Sequence, residues 1–190
     1  RDHKRPHLPK FKDENKYQGK IVHTQAWGDT DYKNKNVTII GSGCTAITMA
    51  PSIIKEAKTV TLIQRSPAWI INIDSQETST RSSKTFQVLW DYFSSRIFKN
   101  FQRKKMIAKS NYYNETTTPS YYFWDQRPAS SLDNDYFKAV KSEKVNIERQ
   151  GISNWEATGV KLNNGKVIKS DITIMATGGN AQLLGGIDIF

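Results

Sequence analysis

Short apolar runs, separated by polar turns, organise this chain. Val37, Ile39 and Ile40 form a compact β-branched run that predicts a strand buried on both faces over residues 37–40. Residues 46–58 then carry Ile47, Ala50, Ile53, Ile54 and Ala57 at helical spacing, with Pro51 as the one residue unsuited to a helix interior. A second apolar strand follows over residues 59–64. Farther along, residues 86–107 read as one or two amphipathic helices whose aromatics, Trp90 and Phe93 among them, suit a core better than a ligand. Asp133 is placed to cap a helix reaching Ala139, and Val145 and Ile147 mark a short strand. Residues 152–157 and 166–169, on either side of Asn163, Asn164 and Gly165, predict a β-hairpin. The last apolar strand, residues 172–175, runs into Ala176, Thr177 and Gly178. Strands alternating with helices predict an α/β fold of Rossmann type, a parallel sheet with helices and an added hairpin.

The first strand–helix junction carries the chemistry. Gly41, Ser42, Gly43, Cys44, Thr45 and Ala46 follow the Gly-x-Gly-x-x-Ala pattern of a dinucleotide-binding turn. Gly41 permits the tight turn, Gly43 keeps side chains away from a pyrophosphate, and Ala46 lets helix and strand approach. The helix that follows turns its N-terminal amides and dipole towards the phosphates. The second strand ends in Gln64, Arg65 and Ser66, where an NAD site usually carries Asp or Glu for the ribose 2′-hydroxyl. A guanidinium beside a hydroxyl suits the 2′-phosphate of NADP instead.

Composition adds limits. The chain has 190 residues, 37% of them hydrophobic and 24% charged, which is ordinary for a globular protein. No stretch approaches the roughly 18 consecutive apolar residues of a membrane span, and no secretory signal is visible, so the expectation is a cytoplasmic protein without membrane insertion. Its single cysteine, Cys44, excludes an internal disulfide. The net charge of +10 is scattered, apart from Arg103, Lys104 and Lys105. Without a helix-turn-helix, zinc or aromatic RNA-binding motif, that charge argues for phosphorylated small molecules and against nucleic acid. No cluster suggests a metal site, and no pattern specifies an oligomeric state.

Upstream of the glycine turn, Tyr17, Gly19, His23 and Trp27 stand at a spacing that resembles the fingerprint of Baeyer–Villiger-type flavoprotein monooxygenases, with Tyr17 for the family's Phe and Gly28 for its Pro or Asp. Further stretches agree in order. Residues 40–46 and 64–67 resemble the family's NADPH site, Trp124, Asp125, Gln126 and Arg127 its active-site arginine segment, and Ala176, Thr177 and Gly178 its strand returning to the flavin domain. Residues 124–127 and 176–186 most resemble the subgroup containing the ethionamide-activating monooxygenase. The resemblance implies an enzyme using NADPH and FAD to transfer one oxygen atom from O₂ to a ketone or to a sulfur or nitrogen centre of a small molecule. It places Arg127 beside flavin and nicotinamide, where a guanidinium stabilises developing negative charge. Read alone, Arg127 is better suited to a salt bridge with Asp125, and His23 is equally suited to a structural role.

The same resemblance divides the chain. Residues 1–36 are expected as a linker and the edge of an FAD domain, residues 37–170 as the NADPH-binding domain with a helical insertion at about 80–118, and residues 171–190 as a return strand into the FAD domain. The family's own FAD-binding turn does not precede residue 37, so the expectation is a portion of a longer protein, inactive by itself. Two other readings stay open. One is an N- or S-oxygenating flavin-containing monooxygenase, whose fingerprint ends in Tyr or Phe where this chain has Trp27; the other is a non-catalytic NADP-binding domain.

Overall fold

The computed structural model describes residues 3–26, 28–73, 118–123 and 125–181. The amphipathic run over 86–107, the insertion expected at about 80–118 up to residue 117, Trp27, Trp124 and residues 182–190 lie outside the described residues.

Five strands form one parallel sheet: β2 (Lys20–His23), β3 (Asn36–Ile40), β4 (Thr59–Ile63), β7 (Val145–Glu148) and β11 (Ile172–Met175), in the spatial order β2-β11-β3-β4-β7. The near-continuous apolar runs follow from burial on both faces. Successive strand residues point to opposite sides, so Ile39, Leu62 and Ile174 join one core while their neighbours Ile40, Ile63 and Met175 join another. Helices α1 (Cys44–Ile53) and α2 (Asp135–Lys141) supply Ile47, Ala50 and Tyr136 to the first core. The second is closed by an antiparallel meander, β8 (Ile152–Glu156), β9 (Gly159–Leu162) and β10 (Val167–Lys169), which contributes Trp155, Val160, Leu162 and Ile168.

Several expectations are corrected. Helix α1 starts at Cys44, two residues before the predicted start, because Gly43 is its N-cap, and it ends at Ile53 rather than Lys58. Pro51 sits in the last turn, where its missing N–H leaves the Ile47 carbonyl short of one donor and the helix stops two residues later. The predicted hairpin is a three-stranded meander. The Asn163-Asn164-Gly165 turn joins β9 to β10, with Gly165 at φ +85°, and a second turn at Ala157 and Thr158 joins β8 to β9. That second turn lacks Gly, Pro or Asn and so is invisible to turn chemistry. The N-cap position of α2 is held by Asn134, not Asp133. Both Asp133 and Asn134 adopt left-handed backbone, and the first-turn amide of Tyr136 donates instead to Ser131 Oγ at 3.2 Å and to Asp135 Oδ1 at 2.7 Å.

Strand β2 belongs to the parallel sheet through β11, and β11 lies between β2 and β3. Short strands β5 (Ile70–Ile73) and β6 (Ala129–Leu132) pair in parallel beside α1, and β1 (His3–Pro6) pairs antiparallel with β12 (Gly179–Ala181). Among the described residues no helix is long and apolar enough to cross a membrane.

Candidate functional site

The carboxyl ends of β3, β4 and β11 meet where the chain leaves the sheet on both sides of β3. A parallel sheet opens its ligand crevice at such a point, because successive connections diverge there. Gly41 makes the junction possible. Its φ is +142°, and a Cβ on it would stand 2.3 Å from the Ala176 carbonyl oxygen, so only glycine lets the β3 end lie this close to the end of β11. Backbone bonds fix the approach: Ala176 N–H donates to Ile40 O at 2.9 Å and Gly41 N–H to Ile63 O at 3.0 Å. Gly43 differs, since a Cβ there would meet nothing within 4 Å. It begins α1, whose first amides lack intrahelical acceptors and, with the dipole, favour an anion.

A cleft of about 400 Å³ opens at these strand ends. Gly41, Ser42 and Gly43 form one wall, Arg65 and Ser66 stand at the end of β4, and Ala176, Thr177 and Gly178 stand at the end of β11. Among the described residues Arg65 is the one permanently cationic side chain lining the cleft, and no carboxylate lines it. The arrangement suits a ligand with two or more phosphates. The donor set and the open space at Gly43 fit a dinucleotide.

Not every residue singled out in the sequence reaches this cleft. Gln64 is buried and holds β4 to β7 through its amide, which donates to Glu148 O at 2.9 Å. Ala46 is fully buried on the inner face of α1, while Cys44 and Thr45 are exposed on its first turn. Asp125 and Arg127 are exposed and form no ion pair with each other. Asp125 instead accepts the Tyr122 amide at 2.9 Å, closing the 122–125 turn. Arg127 nonetheless lies close to the glycine turn in the fold, because the carbonyl of the next residue, Pro128, lies 3.8 Å from Cys44 Sγ.

The Tyr17, Gly19 and His23 motif lies in and before β2. Gly19 makes room for Tyr17, whose ring atoms would be 2.3 Å from a Cβ on that glycine. The Tyr17 hydroxyl donates to Ser170 O and accepts from Thr173 Oγ1, each at 3.1 Å, and the ring packs against Trp155 with centroids 4.8 Å apart. His23 is buried, and its Nδ1 accepts the Gln25 amide at 3.2 Å. That bond leaves the proton of a neutral ring on Nε2.

Sequence reasoning missed His7, Phe11, Gln150 and Ile152, all of which line the cleft. The placement of His7 depends on a long-range tie. The His7 amide donates to Gly178 O at 3.0 Å and the Thr177 hydroxyl donates to His7 O. A polar, proline-flanked arm gives no local signal of such pairing.

The flavin-binding monooxygenase-like family model matches residues 2–183. A probable FAD-binding monooxygenase, AlmA, from an Acinetobacter species is 34% identical over 205 aligned positions, covering 95% of this chain and 41% of that protein. The FAD-containing monooxygenase EthA of Mycobacterium tuberculosis is 31% identical, with 94% and 42% covered. The chain therefore spans about two-fifths of these relatives. Among solved structures, an oxidized steroid monooxygenase bound to NADP superposes with a TM-score of 0.72 at 18% identity, covering 95% of this chain and 45% of that one. Cyclohexanone monooxygenase from Rhodococcus sp. Phi1 bound to NADP+ gives 0.72 at 17%, with the same coverage. At such identities these superpositions speak for the fold.

Proposed function

The chain belongs to the flavin-binding monooxygenase-like family, and from that premise we propose that it is the NADPH-binding portion of an FAD-dependent monooxygenase acting on a ketone or on a sulfur or nitrogen centre. The observation that carries this reading is the cleft at the strand ends, with glycines on one wall and Arg65 and Ser66 on another. Amides at the start of α1 hold the pyrophosphate, and the Arg65 guanidinium and Ser66 hydroxyl hold the 2′-phosphate. Ala176, Thr177 and Gly178 form the wall along which the dinucleotide leaves the sheet. When bound, NADPH and FAD supply the reducing equivalents and the oxygen activation. Arg127, one residue from the contact with Cys44, provides a permanent positive charge near the reacting groups and stabilises negative charge developing there. Tyr17, Gly19 and His23 keep β2 in register with β11.

Titration of the chain with NADPH and NADH tests the proposal. Wild type binds NADPH at least about tenfold tighter, the scale expected of charge-assisted bonds to a phosphate. Arg65→Asp abolishes or reverses the preference. Equal affinities in the wild type rule out the 2′-phosphate assignment.

A further inference from the structure

Gln150 stands beside Arg65 in the cleft, and the strand register puts it there. Ile63 of β4 pairs with Glu148 of β7, and the Gln64 amide donates to Glu148 O at 2.9 Å, so the two strands run in step to their ends. Two residues past that pair, Arg65 comes opposite Gln150. Side chains alternate along a strand and paired residues share a face, so both turn to the side on which Ile63 lies. Ile63, Arg65 and Gln150 all line the cleft.

The backbone after Gln150 is anchored, because Gly151 O accepts the Asn163 amide at 2.9 Å from the β9–β10 turn. The Gln150 side chain is partly exposed and bonds to none of the described residues. In the same cleft Phe11 and Ile152 offer an apolar surface, and Phe11 packs against Trp155 with ring centroids 6.1 Å apart. An uncharged amide with donors and an acceptor, in one cleft with such a surface, suits the edge and face of a heterocyclic base.

The bonds of the ligand decide where that base lies. In an adenosine 2′-phosphate the phosphate hangs from C2′ and the base from C1′, on adjacent ribose carbons. A phosphate held at Arg65 therefore keeps its base close by. The sheet order β3-β4-β7 sets Arg65 between the glycine turn and Gln150, so a ribose whose 5′ side leads back to residues 41–43 presents its base towards Gln150. We propose that Gln150 reads the adenine, its amide oxygen accepting from the 6-amino group, so that base selectivity is set here and phosphate selectivity at Arg65. The inference rests on the NADPH reading given above.

The test titrates wild type, Gln150→Met and Arg65→Gln, each as the full chain, with three probes: NADP+, NAD+ and 1,N6-etheno-NADP+, whose added ring takes up the amino hydrogens. Wild type is expected to bind NADP+ about tenfold tighter than the etheno analogue. Gln150→Met weakens NADP+ and NAD+ alike by about fivefold, the scale of one lost hydrogen bond, and leaves the etheno analogue within about twofold. Arg65→Gln does the reverse: it loses the preference for NADP+ over NAD+ and keeps the preference for adenine. A fall in the NADP+ preference of Gln150→Met overturns the proposal by making Gln150 a phosphate ligand. Unchanged affinities, or an equal loss with all three probes, overturn it too. If wild type binds the etheno analogue as tightly as NADP+, this inference alone falls; if it shows no preference for NADP+ over NAD+, the NADPH reading falls and this inference with it.

Discussion

Gly19 and Gly43 belong to two motifs of equal prominence in the sequence, and the fold treats them in opposite ways. The space beside Gly19 is filled from within, by the ring of Tyr17 and the carbonyl of Asp171. The space beside Gly43 is open to the cleft. A glycine whose missing side chain is replaced by the protein's own atoms is explained by packing. A glycine facing open space at a helix N-terminus is explained by something that comes from outside. On this comparison the space beside Gly19 is taken up by the fold itself, and the 41–46 turn is left open for the ligand proposed above.

The largest expected effect separates the two roles inside the glycine turn itself. Gly41→Ala forces a side chain at φ +142° into the Ala176 carbonyl; with strain and overlap together it costs about 3 kcal/mol and NADPH binding is lost with the local structure. Gly43→Ala meets nothing, so stability falls by about 1 kcal/mol or less, the cost of alanine at an N-cap. NADPH binding nevertheless weakens at least about tenfold, because the methyl group enters the phosphate path. Urea denaturation and NADPH titration on both variants measure the contrast. An intact affinity in Gly43→Ala breaks it.

What could be read in advance follows from the range of each interaction. Strands β3, β4 and β11 announce themselves because residues such as Ile39, Leu62 and Ile174 must be apolar on both faces, and the glycine pattern is contiguous, so turn and helix start could be placed to within two residues. The arm carrying His7 and the ties to Gly178 and Thr177 could not be foreseen, since they join residues some 170 positions apart. The same holds for β2: its neighbour in the sheet is β11, and nothing local to Lys20–His23 names that partner. The 157–158 turn was hidden because its residues carry no turn preference.

An intermediate effect is expected on the closed side of the comparison. Tyr17→Phe keeps the ring beside Gly19 and Trp155 but removes a hydroxyl that donates to Ser170 O and accepts from Thr173 Oγ1. Two buried partners lose a bond, which costs about 1–3 kcal/mol. Denaturation should record that loss while the ratio of NADPH to NADH affinity stays within about twofold of wild type. A changed ratio would mean that the motif reaches the cofactor.

The smallest effect concerns Asp125 and Arg127, where the closed and open roles stand two residues apart. Asp125 is engaged by the Tyr122 amide, and among the described residues Arg127 has no acidic partner. Asp125→Asn retains an acceptor oxygen for that amide, so stability changes by less than about 0.5 kcal/mol. If Arg127 is independent of Asp125, NADPH affinity and its dependence on ionic strength stay close to wild type. If the carboxylate neutralises the guanidinium, its removal frees a positive charge near the glycine turn, and binding of the anionic cofactor tightens several-fold at low salt. Titrations at two ionic strengths decide between a carboxylate that closes a turn and one that restrains the arginine, and the geometry of the 122–125 turn predicts the first.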